Sequence, residues 1–182
     1  MADMFGFLAG VAELDHDLKA IQEAIAEAVS NEILVGIPDD ANERPENSSA
    51  AVTNAELLYI HTNGSEINKI PKRPVIEPAL EHSKEQVSSL LQSVADAALS
   101  GDIQRVRDAQ ERAGKQGRNI ARAWFRDPAN EWAPNADITV KGGWMKNKKT
   151  GKKFKAKGKR SSRPLIDTGE LRRSITYRVK RK

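Results

Sequence analysis

The residues best suited to chemistry in this chain are cations. Between Ile138 and Lys182 there are 17 Lys or Arg against two acids, Asp167 and Glu170, a balance of about +15; the other 137 residues hold 13 basic and 23 acidic side chains, about −10. Lys141, Lys146, Lys148, Lys149, Lys152, Lys153, Lys155, Lys157, Lys159 and Arg160 crowd one stretch, with Trp144 and Phe154 interleaved. Cations among aromatics can neutralise phosphates and stack on bases, giving a salt-dependent affinity that does not read sequence. The same charges can dock on an acidic protein surface, including the body of a second copy. A solvated, unstructured basic loop is the third possibility. No pattern of a base-reading module is present.

Other reactive side chains form no constellation. His16, His61 and His82 are far apart in sequence and lack ligand-like spacing. Asp39, Asp40 and Glu43 sit in a polar stretch that reads as a solvated acidic loop. Gly142-Gly143 and Lys157-Gly158-Lys159 lack the lysine-serine context of a phosphate loop. Asp167-Thr168-Gly169 is the tripeptide of aspartic-protease loops, but it occurs once, without hydrophobic strands around it. A turn is the better account: Asp and Thr bond nearby backbone N–H groups, Gly169 supplies positive φ, and Leu165, Ile166 and Leu171 anchor both sides. No catalytic residue, metal site or cofactor is assigned.

The elements that must carry these residues follow from periodicity. Leu8, Val11, Leu14, Leu18, Ile21, Ile25 and Val29 recur in steps of three and four, one face of a long helix. Ile33 to Pro38 reads as a short buried strand. Asp39 to Thr53 is a polar loop. Ala55 to Thr62 has helical spacing with Asn54 as its N-cap, and Asn63-Gly64-Ser65 breaks it. Ile70-Pro71-Lys72-Arg73-Pro74 is extended, since each proline biases its predecessor away from helix. One helix is expected from Pro78 to Leu99, with Leu80, Val87, Leu90, Leu91 and Val94 inward. A second follows from Ile103 to Phe125, capped by Asp102 and ended by Asp127-Pro128. Gly114 and Gly117 either permit a close helix crossing or mark a softer segment. Ile138-Thr139-Val140 starts like a strand, Lys146 to Lys152 has the composition of a hairpin tip or disordered loop, Thr168 to Arg173 is a turn with one helical turn, and Ser174 to Lys180 alternates like a closing strand.

Bulk properties agree with a modest core. The 182 residues are 38% hydrophobic and 30% charged, a balance that suits an elongated or arm-bearing protein stabilised by its neighbours. There is no cysteine, hence no disulfide framework. The apolar segment near the N-terminus lacks a basic flank, so no secretory signal is read, and no apolar run spans a membrane. The expected fold is α+β: a long N-terminal helix and two central helices packed on a small antiparallel sheet, with an extended basic loop or hairpin. Residues 1–140 and 164–182 are expected to form a single domain, and 141–163 an inserted basic arm.

Two groups of residues resemble the neck and tail-completion proteins of tailed bacteriophages, including the Mu-like virion morphogenesis proteins. The first runs through Val35-Gly36-Ile37-Pro38, Asn54 to Ser65, and Ile70-Pro71-Lys72-Arg73-Pro74-Val75-Ile76-Glu77-Pro78-Ala79-Leu80. The second is Trp132-Ala133-Pro134-Asn135-Ala136-Asp137-Ile138-Thr139 with Arg163-Pro164-Leu165-Ile166-Asp167-Thr168-Gly169-Glu170-Leu171-Arg172-Arg173-Ser174-Ile175-Thr176-Tyr177. The order, and the two long helices between, also match. Val75 stands where the family has Phe, His61-Thr62-Asn63-Gly64 replaces Glu-Phe-Gly, and Gly142 to Ser162 is an insertion. The resemblance implies a non-enzymatic virion component at the head–tail junction, assembled in the host cytoplasm. It implies a homo-oligomeric ring, six-fold, around the DNA channel, meeting neck or connector proteins and the tail tube or sheath. In it Pro71, Arg73, Pro74, Pro164, Asp167, Thr168, Gly169, Arg172 and Ser174 are architectural. The arm, Lys141 to Arg163, would reach an adjacent subunit, a neighbouring ring or the lumen, free in the monomer and folded on assembly. The rival expectation is a non-specific DNA-binding accessory protein acting through the basic region.

Overall fold

The computed structural model describes residues 2–38, 52–146, 150–158, 162–166 and 169–182, with side chains described from Glu13 onward. The fold is α+β, as expected. Its elements are α1 (Ala2–Ser30), β1 (Asn31–Gly36), α2 (Asn54–Asn63), α3 (Ile76–His82), α4 (Lys84–Leu99), α5 (Ile103–Trp124), α6 (Asp137–Lys141), β2 (Gly142–Lys146), β3 (Lys153–Lys157), α7 (Glu170–Ser174) and β4 (Thr176–Arg181). A short 3-10 turn covers Pro128–Asn130. The chain divides into two compact units, one of Met1–Gly36, Leu80–Ile120 and Thr176–Lys182, the other of Ile37–Ala79 and Ala121–Ile175. Residues 141–163 belong to the second.

The first unit packs small residues. Ala24 of α1, Val94, Ala97 and Ala98 of α4, and Val106 and Ala109 of α5 form a buried cluster, joined by Ala28 and Ile103. Alanine at these contacts lets helix backbones approach closely, at the cost of little buried area per side chain. Gly101, at φ 72°, turns α4 into α5, and a β-carbon there would stand 3.2 Å from that of Ala20. Asp102 caps α5 as its type predicts, its carboxylate accepting from Arg105 N at 2.9 Å. The last turn of α1 is capped by side chains. Asn31 donates to Glu27 O (3.1 Å) and to Gln110 Oε1 (3.2 Å), and Gln110 donates to Ala28 O (3.1 Å). Gln110 is 1% exposed, so its amide is matched as a buried polar group must be.

β1 and β4 form an antiparallel pair in register from Asn31↔Arg181 to Gly36↔Thr176. The two glycines of α5 serve this pair. A β-carbon at Gly114 would lie 2.3 Å from Tyr177 Cδ2, and one at Gly117 would lie 3.0 Å from Val35 Cγ2. They admit side chains of the sheet rather than a crossing helix.

Several expectations are corrected. The apolar stripe of α1 is not its buried face: Leu14 is 64% exposed and Val29 65%, while Ala24 is fully buried. The core side of α1 is the alanine row at i, i+4 spacing, because α4 and α5 present alanines that larger side chains would hold apart. Leu91, expected inward, is 53% exposed. β1 is covered on one side only; Leu34 points outward at 46% exposure. The helix expected from Pro78 to Leu99 is two, because Ser83 (φ −102°, ψ 25°) leaves helical geometry between α3 and α4. Thr53 caps α2, not Asn54: Thr53 Oγ1 accepts from Glu56 N at 3.2 Å while Glu56 accepts from Thr53 N at 2.8 Å, a reciprocal capping box. Asn54 is the first helical residue and is buried. Ile138-Thr139-Val140 is helical, within α6. An Asp137–Lys141 pair at i, i+4 (2.8 Å) spans the turn, and Gly142 at φ 73° ends it, which outweighs the β-branched preference. Of the polar loop expected over Asp39 to Thr53, residues 39–51 lie outside the described residues.

Candidate functional site

The second unit contains both features that the sequence singled out: the proline-arginine motifs and the basic stretch. α2 leads into them. It ends at Gly64 (φ 72°), and Ser65 and Ile70 pair as a bridge, each N–H donating to the other's carbonyl at 2.8 Å. The chain then runs extended through Pro71 and Pro74, as the prolines dictate. Arg73 N donates to His61 O at 2.6 Å, so the motif is fixed to the helix before it.

Arg73 then reaches across sixty residues of sequence. It is 6% exposed, and its Nη2 donates to Ala133 O (2.9 Å) and Pro134 O (3.4 Å). Burial lowers its pKa from the usual arginine value, yet a guanidinium remains protonated in proteins. It therefore acts as a fixed charged donor to two carbonyls. Next to it, Asn135 N donates to Ser162 O (3.2 Å) and Asn135 Nδ2 to Arg163 O (3.0 Å). The Ile-Pro-Lys-Arg-Pro, Trp-Ala-Pro-Asn and Arg-Pro-Leu-Ile stretches are thus tied in series through one arginine and one asparagine. Val75, where the resemblance expects a larger ring, is fully buried.

The C-terminal motif is held in the same manner. Gly169 has φ 74°, the positive φ expected of it, and starts α7. Leu171 is 6% exposed and Ile175 fully buried. Ser174 Oγ donates to Leu171 O at 2.8 Å. Arg122, near the end of α5, donates from Nε to Ile175 O (2.9 Å) and from Nη2 to Arg173 O (2.6 Å). Pro164 and Arg172 are half-buried. Phe125 meets Trp132 edge to face, with ring centroids 5.7 Å apart. Asp167 and Thr168 lie outside the described residues.

The basic stretch is a hairpin. β2 and β3 pair antiparallel with Gly142↔Lys157, Gly143↔Ala156, Trp144↔Lys155, Met145↔Phe154 and Lys146↔Lys153. Directly opposed residues share a face. Gly143, Met145, Phe154 and Ala156 therefore make one apolar face; Trp144, Lys146, Lys153, Lys155 and Lys157 make a basic one. Met145 is 41%, Phe154 47% and Trp144 70% exposed. The two aromatics interleaved in the sequence thus lie on opposite sides. The base of the hairpin is a close backbone crossing: a β-carbon at Gly158 would meet Val140 O at 2.5 Å, and one at Gly142 would meet Gly158 N at 2.5 Å. Lys141 ends α6 beneath it, paired with Asp137. Lys152 is exposed at the tip. Lys148, Lys149, Lys159 and Arg160 are outside the described residues.

His16 and His82 fall in the first unit and His61 in the second. Among the described residues no group of three or more His, Asp or Glu could hold a metal ion, and no helix is long and apolar enough to cross a membrane. The residues the sequence reading passed over are Arg122 and Gln110, whose partners are backbone carbonyls or distant amides, and the two-faced hairpin. The hairpin had a signal: Lys153-Phe154-Lys155-Ala156-Lys157 alternates with a period of two. Comparison with protein-family models, with curated proteins and with solved structures finds no match to this chain.

Proposed function

We propose that this chain is a non-enzymatic structural component of a tailed-phage virion, acting at the head–tail junction as a homo-oligomeric ring around the DNA channel. The observation that carries this reading is the Arg73 clamp. The stretches that resemble neck and tail-completion proteins are far apart in sequence, yet Arg73 and Asn135 tie them by bonds to backbone carbonyls. Such bonds commit these two side chains to holding a frame. Exposed apolar side chains on α1 and on the hairpin add support, since scattered single leucines are ordinary but rows of them mark surfaces that others cover. A ring needs two different, mutually complementary patches on each copy. An acidic body with a basic arm provides opposite charges for them.

Electron microscopy of particles carrying a labelled copy of the chain tests the reading. Density at the neck is the expected result; label found only elsewhere in the particle, or absent from it, overturns it. The alternative, a DNA-binding accessory protein, is favoured by one observation, the basic hairpin face with Trp144 among four lysines. It expects the isolated chain to bind duplex DNA with log K falling steeply with log salt, by about 0.9 for each phosphate neutralised. The assembly reading expects weak binding by the single chain.

A further inference from the structure

Two exposed apolar surfaces of this chain lie on elements of opposite charge. On α1, Leu14, Leu18, Ile25 and Val29 are 64%, 57%, 40% and 65% exposed. At 100° per residue they fall within one narrow sector, beside but distinct from the buried Ala24 row. From Leu14 to Val29 the stripe is about 22 Å long at 1.5 Å per residue. Glu13, Asp15, Asp17 and Glu23 of the same helix are exposed, with Lys19 the lone base among them. On the hairpin, Met145 and Phe154 form an exposed apolar face on strands of five residues, about 17 Å long. Residues 142–157 contain no acid.

We propose that the apolar face of the β2–β3 hairpin of one copy docks on the α1 stripe of a second copy. This rests on the ring reading and supplies its interface. The hairpin, about 17 Å long, fits within the stripe of about 22 Å, and both surfaces are apolar at the centre. The lysines flanking Phe154 carry long stems that can bend to the edge of the hairpin and meet the acids of α1. Pairing of α1 with α1 would set two acidic helices together, and pairing of hairpin with hairpin two basic ribbons; only the mixed contact brings unlike charges together. A two-stranded ribbon is at best marginal in water, so the hairpin itself gains from the cover. Because the two patches differ, each copy offers one and receives the other, and the contact repeats head to tail, the kind of interface a ring is built from.

Complementation between full-length variants tests this. Leu18→Glu with Ile25→Glu disables the stripe; Met145→Glu with Phe154→Glu disables the hairpin face. All four positions are exposed, and circular dichroism checks that helix content is kept; the milder Leu18→Ser and Phe154→Ser serve as second variants. By size exclusion with light scattering, the wild-type chain is expected to assemble. Each variant alone is expected at the mass of one chain, 20.1 kDa. An equimolar mixture is expected at twice that mass and no more, because one intact stripe meets one intact hairpin. A wild type that assembles while the hairpin variant assembles equally well overturns this contact and leaves the ring reading standing. A mixture that stays at single-chain mass also overturns it. A wild type that never assembles overturns both. Loss of duplex DNA retention by the hairpin variant with its assembly unchanged assigns that face to nucleic acid and overturns the docking.

Discussion

The Tyr177 ring occupies the space that a side chain on residue 114 would need: a β-carbon at Gly114 would stand 2.3 Å from Tyr177 Cδ2. The ring is held at its hydroxyl, which donates to Glu111 Oε2 at 2.8 Å, and the Arg118 guanidinium lies over the ring, 5.6 Å from its centroid. Gly114→Ala gains about 1 kcal/mol of helix propensity but forces the ring aside. The expected net result is a loss of about 1–2 kcal/mol, as for overpacked cores. Denaturant unfolding measures it. Gly114→Ala combined with Tyr177→Leu should lose less than the sum of the two single changes, since the clash is then gone.

Tyr177 should also titrate late. The hydrogen bond to Glu111, burial, and the Glu111 charge raise its pKa, in that order, while Arg118 opposes them. Its neutral form is therefore favoured in the folded chain. That contribution is complete below the ordinary tyrosine value of about 10 and is lost as pH rises through the folded value. In Glu111→Gln, phenolate absorbance of Tyr177 should appear at lower pH than in the wild type. An unchanged titration would show that the bond to Glu111 does not govern the hydroxyl.

The Arg73 clamp predicts an asymmetric substitution pattern. Arg73→Ala removes a buried side chain and its charged hydrogen bonds to Ala133 O and Pro134 O, and should cost about 2–3 kcal/mol. Arg73→Lys keeps the charge but not the planar fork, and should recover only part of the loss. Limited proteolysis near residues 133–135, compared across the three chains, reads the effect locally.

Glu27 ties α1 to α5 through Arg107, Oε1 to Nε at 2.7 Å. The Arg107 hydrogen bond is the largest cause of its lowered pKa, with the Arg107 charge and the Asn31 bond assisting against partial burial. A carboxylate lowered in the fold contributes stability present above its unfolded pKa and lost as pH falls through the folded one. Unfolding measured from neutral pH downward should therefore weaken below the ordinary glutamate range near about 4.3. Glu27→Gln should flatten part of that dependence. The same slope in both chains would remove Glu27 from the account.

Gln110 should tolerate no apolar replacement. Gln110→Leu fits the space but abandons Ala28 O and the Asn31 amide in a buried place, at an expected cost of about 1–3 kcal/mol in unfolding free energy.

Elements whose signals are local are legible in the sequence alone. Asp102 announces α5, the alternation after Ser174 announces β4, and Gly169 announces a left-handed start to α7, because each depends on neighbours within a turn. Legibility fell where the partner is distant. Leu14 and Leu18 look like core in one dimension, and only the alanines of α4 and α5 reveal that the neighbouring face was taken. Arg73 is marked in the sequence only by the motif it belongs to, and nothing local points to its partners, Ala133 O and Pro134 O, sixty residues away. Ile138 to Val140 failed for the opposite reason: a strong local preference yielded to the salt bridge and glycine that bracket it. The hairpin was foreseen as composition, but its two faces became visible only with the register of Met145 against Phe154.

The pairing of β1 with β4 has a consequence for how the chain reaches this state. Strand partners Gly36 and Thr176 have both segments of the second unit, and Leu80–Ile120 of the first, between them in sequence. Closing so long a loop carries an entropy cost that grows only slowly with length, about 0.6 kcal/mol per doubling, but contacts of such separation slow folding. Local helices within the intervening chain, such as the α4–α5 pair, shorten the effective loop before the strands meet. Order of events then favours the local helices first and the sheet last. Until β4 arrives, β1 presents an unpaired edge next to the glycines of α5, the moment in the life of this chain most open to pairing with the wrong strand.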